Sequence, residues 1–173
     1  AKQKFKALGY DRVYVEPVQF KTWERRHESG AIVGANPQPL SLTALGGTVG
    51  TNGAMEAEVV EFATIDALKA AKEGSLTGKI AYVSNRMERF KDGHGYGPAV
   101  KARSGASVAA SKGAIAYIIR SIGTDHDRMP HTGMQRYTDG VKQIPAAALS
   151  NPDADQVSRL LKLGAPVRVK LDL

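Results

Sequence analysis

The chain has 173 residues, 42% apolar and 24% charged, which suits one soluble domain with or without an appendage. Its 24 Lys and Arg against 17 Asp and Glu leave a net charge of +7, but the basic residues are scattered and no run of five like charges occurs. Nucleic acid and anionic membranes are therefore not expected partners. The absence of cysteine excludes disulfides and thiolate zinc sites, and no apolar stretch approaches the roughly 20 residues that cross a bilayer.

In chain order, residues 2–8 read as a short helix ending at Gly9. Arg12–Phe20 alternates apolar and polar residues and predicts a half-exposed strand, with Pro17 at an edge or bend. Ile32-Val33 and Leu40–Leu45 are short strand candidates, separated by a turn-rich link at 36–39. Gly46-Gly47 and Asn52-Gly53 flank a small turn or hairpin. Met55–Phe62 reads as a strand, and Thr64 caps a short helix, Ile65–Glu73, that stops at Gly74.

Lys79–Ser84 is a strong strand, followed by a polar loop over 86–97. Pro98 opens a helix running to about Lys112, Gly113 ends it, and Ala114–Ile119 follows as a nearly all-apolar strand. That strand–helix–strand order predicts two parallel, buried strands. Ser121–Gly140 is a long polar loop, Ile144–Leu149 a short strand, and Asn151-Pro152-Asp153 offers caps for a helix through Leu163. Val167–Leu173 alternates as a closing strand. The sum is about seven or eight strands of mixed direction with three or four helices. That predicts a mixed, β-rich α/β domain of twisted sheets or an open barrel, because helices are too few for a doubly wound sheet.

Chemistry-bearing constellations are scarce. Gly93, Gly95 and Gly97 precede a helix, but G-x-G-x-G is not the dinucleotide spacing, and no acid falls at the end of the next strand. Asp125-His126-Asp127 with His131 is the only local cluster of metal-ligand types, and no helical face aligns its two histidines. No H-E-x-x-H and no G-x-S-x-G occurs, so no catalytic residue and no metal ligand is assigned. Ser104-Gly105-Ala106-Ser107 lies in a predicted helix, where small residues permit close packing.

Three blocks in the middle of the chain resemble a known family. Leu76-Thr-Gly-Lys-Ile-Ala-Tyr-Val83, then Ala109-Ala-Ser-Lys-Gly-Ala-Ile-Ala-Tyr-Ile-Ile119, then Ile144-Pro-Ala-Ala-Ala-Leu-Ser150 are similar, in order and spacing, to the strands and helix of protease-associated domains. A narrower resemblance links Leu8–Val13, Glu16-Pro-Val18, Trp23-Glu-Arg25 and Pro130–Tyr137 to zinc exopeptidases of the carboxypeptidase Q type.

The resemblance implies that residues 1–17 are a junction segment belonging to a peptidase domain, with 18–173 forming the protease-associated domain. It further implies a non-catalytic fragment of a secreted or periplasmic di-zinc exopeptidase, its signal peptide upstream. The two zinc ions would be bound elsewhere in the parent, since no H-x-D motif occurs here. The expected partners are the peptidase domain of the same parent and a homodimer mate. The expected role is to cover the active-site cleft and shape substrate access, or to mediate dimerisation. The loop Asp125–Tyr137 is the candidate for substrate or interdomain contact, through His131, Thr132, Gly133 and Tyr137. A free-standing module for peptide or an anionic surface is the alternative; a hydrolase with a metal in the Asp125–His131 loop is a third reading.

Overall fold

The computed structural model describes residues 1–173. Eight strands form one mixed sheet: β1 (Ser29–Val33), β2 (Gln38–Pro39), β3 (Leu42–Ala44), β4 (Met55–Phe62), β5 (Ile80–Val83), β6 (Ala116–Arg120), β7 (Ala146–Leu149) and β8 (Arg168–Asp172). Their order is β2-β1-β8-β4-β5-β6-β7-β3. The helices are α1 (Lys2–Ala7), α2 (Ile65–Lys69), α3 (Tyr96–Val100), α4 (Gly105–Ser111) and α5 (Asn151–Lys162).

Strands β4 to β7 run parallel, and the antiparallel strands β3 and β8 flank them. The predicted parallel pair is thus β5–β6, with Ile80 opposite Ala116 and Val83 opposite Ile119. Both are buried along their whole length, as a strand with packed layers on two faces requires. The period of two divides their side chains cleanly. Ala81, Val83, Tyr117 and Ile119 enter one core with α2 and α4, whereas Ile80, Tyr82, Ala116 and Ile118 enter a second core with α5 and β8.

Two residues, Leu40 and Ser41, join β2 at one end of the sheet to β3 at the other. A link that short forces the sheet to curl into an open barrel. The curl brings β1 so close to β3 that a Cβ on Gly30 would lie 2.2 Å from Leu42 Cδ2, so a side chain there would have to displace Leu42. The β-rich mixed α/β architecture is therefore the one expected from sequence.

Three local expectations change. Arg12–Phe20 forms no strand: residues 11–28 make no backbone–backbone hydrogen bond. β-forming composition needs a neighbouring strand to pair with, and none lies beside this segment. The helix after Pro98 is broken into α3, a 3-10 turn over Lys101–Ser104, and α4. The break falls where the backbone at Gly105 approaches β6, and a Cβ there would sit 2.2 Å from Tyr117 Oη. Ser150 caps α5, its Oγ accepting from the Asp153 N–H, so the capping residue lies one position earlier than expected.

The candidate loop, its anchors and a charged cleft

The loop between β6 and β7 is held from several sides. Ser121 Oγ donates to Leu149 O at 2.6 Å and accepts from the His131 N–H at 2.7 Å. Asn151 Nδ2 donates to the carbonyls of Gly123 and Asp125, which fixes the first part of the loop over the start of α5. Arg128 reaches Pro39 O at 3.0 Å and pairs with Asp153 at 2.9 Å. Asp153 in turn accepts from the Ser41 N–H and the Ser150 hydroxyl. These bonds spend the polar groups of a long loop on the scaffold, so its shape is defined although it has no regular structure.

The four residues singled out from the sequence lie together in this loop but face different ways. Thr132 Oγ1 donates to Ala44 O at 2.9 Å, and its carbonyl accepts from Arg103 Nη2 at 2.9 Å. Gly133 accepts from the Gly46 N–H at 2.9 Å and lies against the Arg103 guanidinium, whose Cζ would be 2.1 Å from any added Cβ. Tyr137 donates to Ile144 O at 2.6 Å and accepts from the Val49 N–H at 3.1 Å. Their polar groups are thus engaged within the chain. The imidazole of His131 differs: it is exposed, and only its backbone N–H is held.

Residues 23–28 clamp the incoming polypeptide onto the edge strand β3. Trp23 Nε1 donates to Thr48 O at 2.8 Å, and the Arg25 guanidinium lies 5.0 Å from the Trp23 ring centre. Glu28 accepts from the Ala44 N–H at 2.6 Å, while Arg25 donates to Ala44 O at 2.9 Å and pairs with Glu28 at 2.7 Å. Two side chains thereby satisfy both backbone groups of an edge residue, an unsheltered row that proteins otherwise have to cover. Arg25 Nη2 also reaches Thr132 Oγ1 at 3.3 Å, so clamp and loop share a contact. Sequence reading missed this clamp because it forms only when residues far apart in the chain meet.

A second feature was not legible either. At the carboxyl ends of β5 and β6, Asp155 accepts from Arg120 Nη1 at 2.6 Å and from Arg86, with His126 Nε2 at 3.6 Å. The Arg120 side chain is 5% exposed and that of Asp155 13%. Burial works against ionisation of Asp155, but the hydrogen bond and charge of Arg120, with the charges of Arg86 and His126, outweigh it and hold the carboxyl below its ordinary range.

No three His, Asp or Glu side chains converge in a metal-ligating group. The Asp125–His131 cluster does not fit a zinc ion: His126 faces an aspartate already claimed by two guanidinium groups.

These features define a scaffold that presents loops, with the β-rich α/β fold of protease-associated type. No protein-family model matches the chain. Its homologues are carboxypeptidase Q: the mouse protein is 32% identical over 173 residues, which is 99% of this chain but 35% of that protein. The crystal structure of a peptidase M28 precursor from Shewanella amazonensis superposes with a TM-score of 0.91 at 49% identity, covering 99% of this chain and 39% of that one. A zinc aminopeptidase from Bacillus subtilis, 16% identical, shares the fold at a TM-score of 0.54 over 84% of this chain and 30% of its own. The chain thus spans about a third of the length of the curated relatives it matches.

Proposed function

We propose that the chain is a non-catalytic protease-associated domain inserted in a larger, secreted zinc exopeptidase, where it flanks the peptide-binding cleft. The observation that carries this reading is the pairing of Ser29 with Asp172 across β1 and β8. The polypeptide enters and leaves the body side by side, the arrangement that lets a domain be inserted at a single point of a host fold.

The segment before the clamp supports the same reading. Phe5, Leu8, Tyr10, Tyr14, Val15, Val18 and Phe20 are 47% to 82% exposed, and α1 buries nothing. An apolar strip of that kind is expected to lie against another surface, and we assign it to the peptidase domain of the same parent. The unpaired run Arg12–Phe20 would find its strand partner there. The clamp at Trp23–Glu28 then marks the junction somewhat later than residue 17. In this arrangement the metal ligands and the carboxylate base lie in the host, with the two zinc ions, and no residue of this chain takes a step in hydrolysis.

Within the loop, His131 has the imidazole free to meet substrate or host, while Thr132, Gly133 and Tyr137 keep the loop in place. Dimerisation is a second role such a domain would serve. The purified chain is expected to hydrolyse no dipeptide, with or without added zinc; turnover with stoichiometric bound zinc would overturn the reading. In the longer enzyme, His131→Ala is expected to lower kcat/KM on dipeptides by more than about twofold, or roughly 0.4 kcal/mol. A smaller change removes substrate contact from its role.

A further inference from the structure

The cleft at the carboxyl ends of β5 and β6 offers about 210 Å³ of open space, walled by Arg86, Arg89, Arg120, Thr124, His126 and the single carboxylate Asp125, with Asn151 of α5 also lining it. Its charges do not balance. Arg120 forms a two-pronged pair with Asp155, at 2.6 and 3.4 Å, which uses up that carboxylate. Arg86 shares the same aspartate, so two guanidinium groups divide one negative charge.

Arg89 is tied by Nε and Nη2 to the Thr124 hydroxyl, at 3.1 and 2.9 Å. Its acidic neighbour Asp125 stands off at 3.9 Å, and both side chains are mostly exposed, a pairing worth little in water. Within the cleft three permanent cations, Arg86, Arg89 and Arg120, therefore face two carboxylates, Asp125 and Asp155, while Glu61, Glu88 and Lys162 line the adjoining hollow that shares Arg86 and Arg120. Positive groups gathered in a concave site repel one another unless an anion joins them.

The fold favours the same sign of ligand. The cleft opens at the carboxyl ends of parallel strands, beside the start of the 12-residue helix α5, where the backbone dipoles favour negative charge. Guanidinium forks held by neighbours match the two oxygens of a carboxylate, and the open volume suits an amino acid or the last residue of a peptide.

We infer that this cleft binds the terminal carboxylate of a short peptide or amino acid, with Arg89 and Arg86 as its contacts and Arg120–Asp155 as their fixed support. The choice of a peptide carboxylate over another anion rests on the peptidase-domain reading. The anion site itself does not.

The test is a titration of the isotope-labelled chain with N-acetyl-glycylglycine, its C-terminal amide, and inorganic phosphate, followed by backbone amide shifts. The free acid is expected to shift residues 86–89 and 123–126 saturably. The amide should bind at least about tenfold more weakly, the factor expected for one charge-assisted contact. Arg89→Ala and Arg86→Ala, both at exposed side chains, should each weaken the acid about fivefold or more, while Arg168→Ala, at an exposed arginine on β8, leaves it unchanged. Equal binding of acid and amide, or equal loss from Arg168→Ala, overturns the site. Phosphate binding more tightly than the acid overturns the peptide ligand. Failure here leaves the domain reading standing, and hydrolysis by the isolated chain would sink that reading without touching the cleft.

Discussion

The segment Arg12–Phe20 and the strand β6 have similar chemistry and opposite fates. Val13-Tyr14-Val15 is as β-prone as Tyr117-Ile118-Ile119. Yet the first makes no backbone hydrogen bond and stays largely exposed, while the second is fully buried between β5 and β7. Intrinsic preference therefore does not decide which becomes a strand; the presence of two paired neighbours and two packed faces does. It follows that folding free energy is concentrated in the body, residues 29–173, and in the clamp at 23–28 that holds its edge, and that the arm before the clamp contributes surface rather than stability.

The sharpest way to break this comparison is in the body. Tyr117 is buried completely, donates to Ala102 O at 2.6 Å, and packs its ring beneath Gly105. Tyr117→Ala removes that ring and leaves a cavity between β6 and α4. The expected loss in urea unfolding is about 3–5 kcal/mol. A loss under 1 kcal/mol would mean that the body does not depend on its central strand.

The next effect belongs to the charged cleft. Asp155→Asn removes the carboxylate from a 5%-exposed arginine. Stranding a buried charge costs about 3–5 kcal/mol, and contact of Asp155 with water brings the expected value to about 2–3 kcal/mol. The pH dependence has a definite sign. The Asp155 carboxyl titrates lower when folded than when unfolded. Its contribution is therefore complete above the unfolded value near pH 4 and is lost as pH falls through the lower, folded value. The stability gap between wild type and Asp155→Asn should be constant near neutrality and shrink on acidification. A gap that widens in acid would show that Asp155 is not held by Arg120 and Arg86.

Most of the body was legible in the sequence because its strands are marked by local pattern. Met55–Phe62 agrees to the residue, and the alternation in Val167–Leu173 appears as buried Val169 and Leu171 between exposed Arg168 and Lys170. What escaped depends on residues distant in the chain. The closure of the sheet follows from Leu40-Ser41 bridging its two ends, which no window of sequence displays. The Arg25–Glu28 clamp needs Ala44, and the Arg86–Arg120–Asp155 cluster needs a loop, the end of β6 and a helix to meet. Of the candidate site, the loop over 121–140 was visible from its polarity. Which of its residues anchor and which remain free was not, because the hydrogen-bond partners of Thr132, Gly133 and Tyr137 lie at Ala44–Val49, Arg103 and Ile144, outside the loop.

The smallest expected effect tests the other side of the comparison. Replacing Val15, Val18 and Phe20 together by Ser removes three of the most exposed apolar side chains, at 71%, 77% and 82%. Because they bury nothing in the body, the unfolding free energy of this chain should change by less than about 0.5 kcal/mol. Trp23 fluorescence should stay the same, since its indole is held by Thr48 O beyond the substituted segment. Joined to the longer polypeptide of its relatives, the same triple substitution should instead lower stability measurably, because there the strip would be covered and each lost side chain would count by its buried area. Equal and negligible effects in both contexts would show that the arm is solvated surface rather than a junction. A loss above 1 kcal/mol in the isolated chain would show that it already packs on the body, and the division between arm and body would fail.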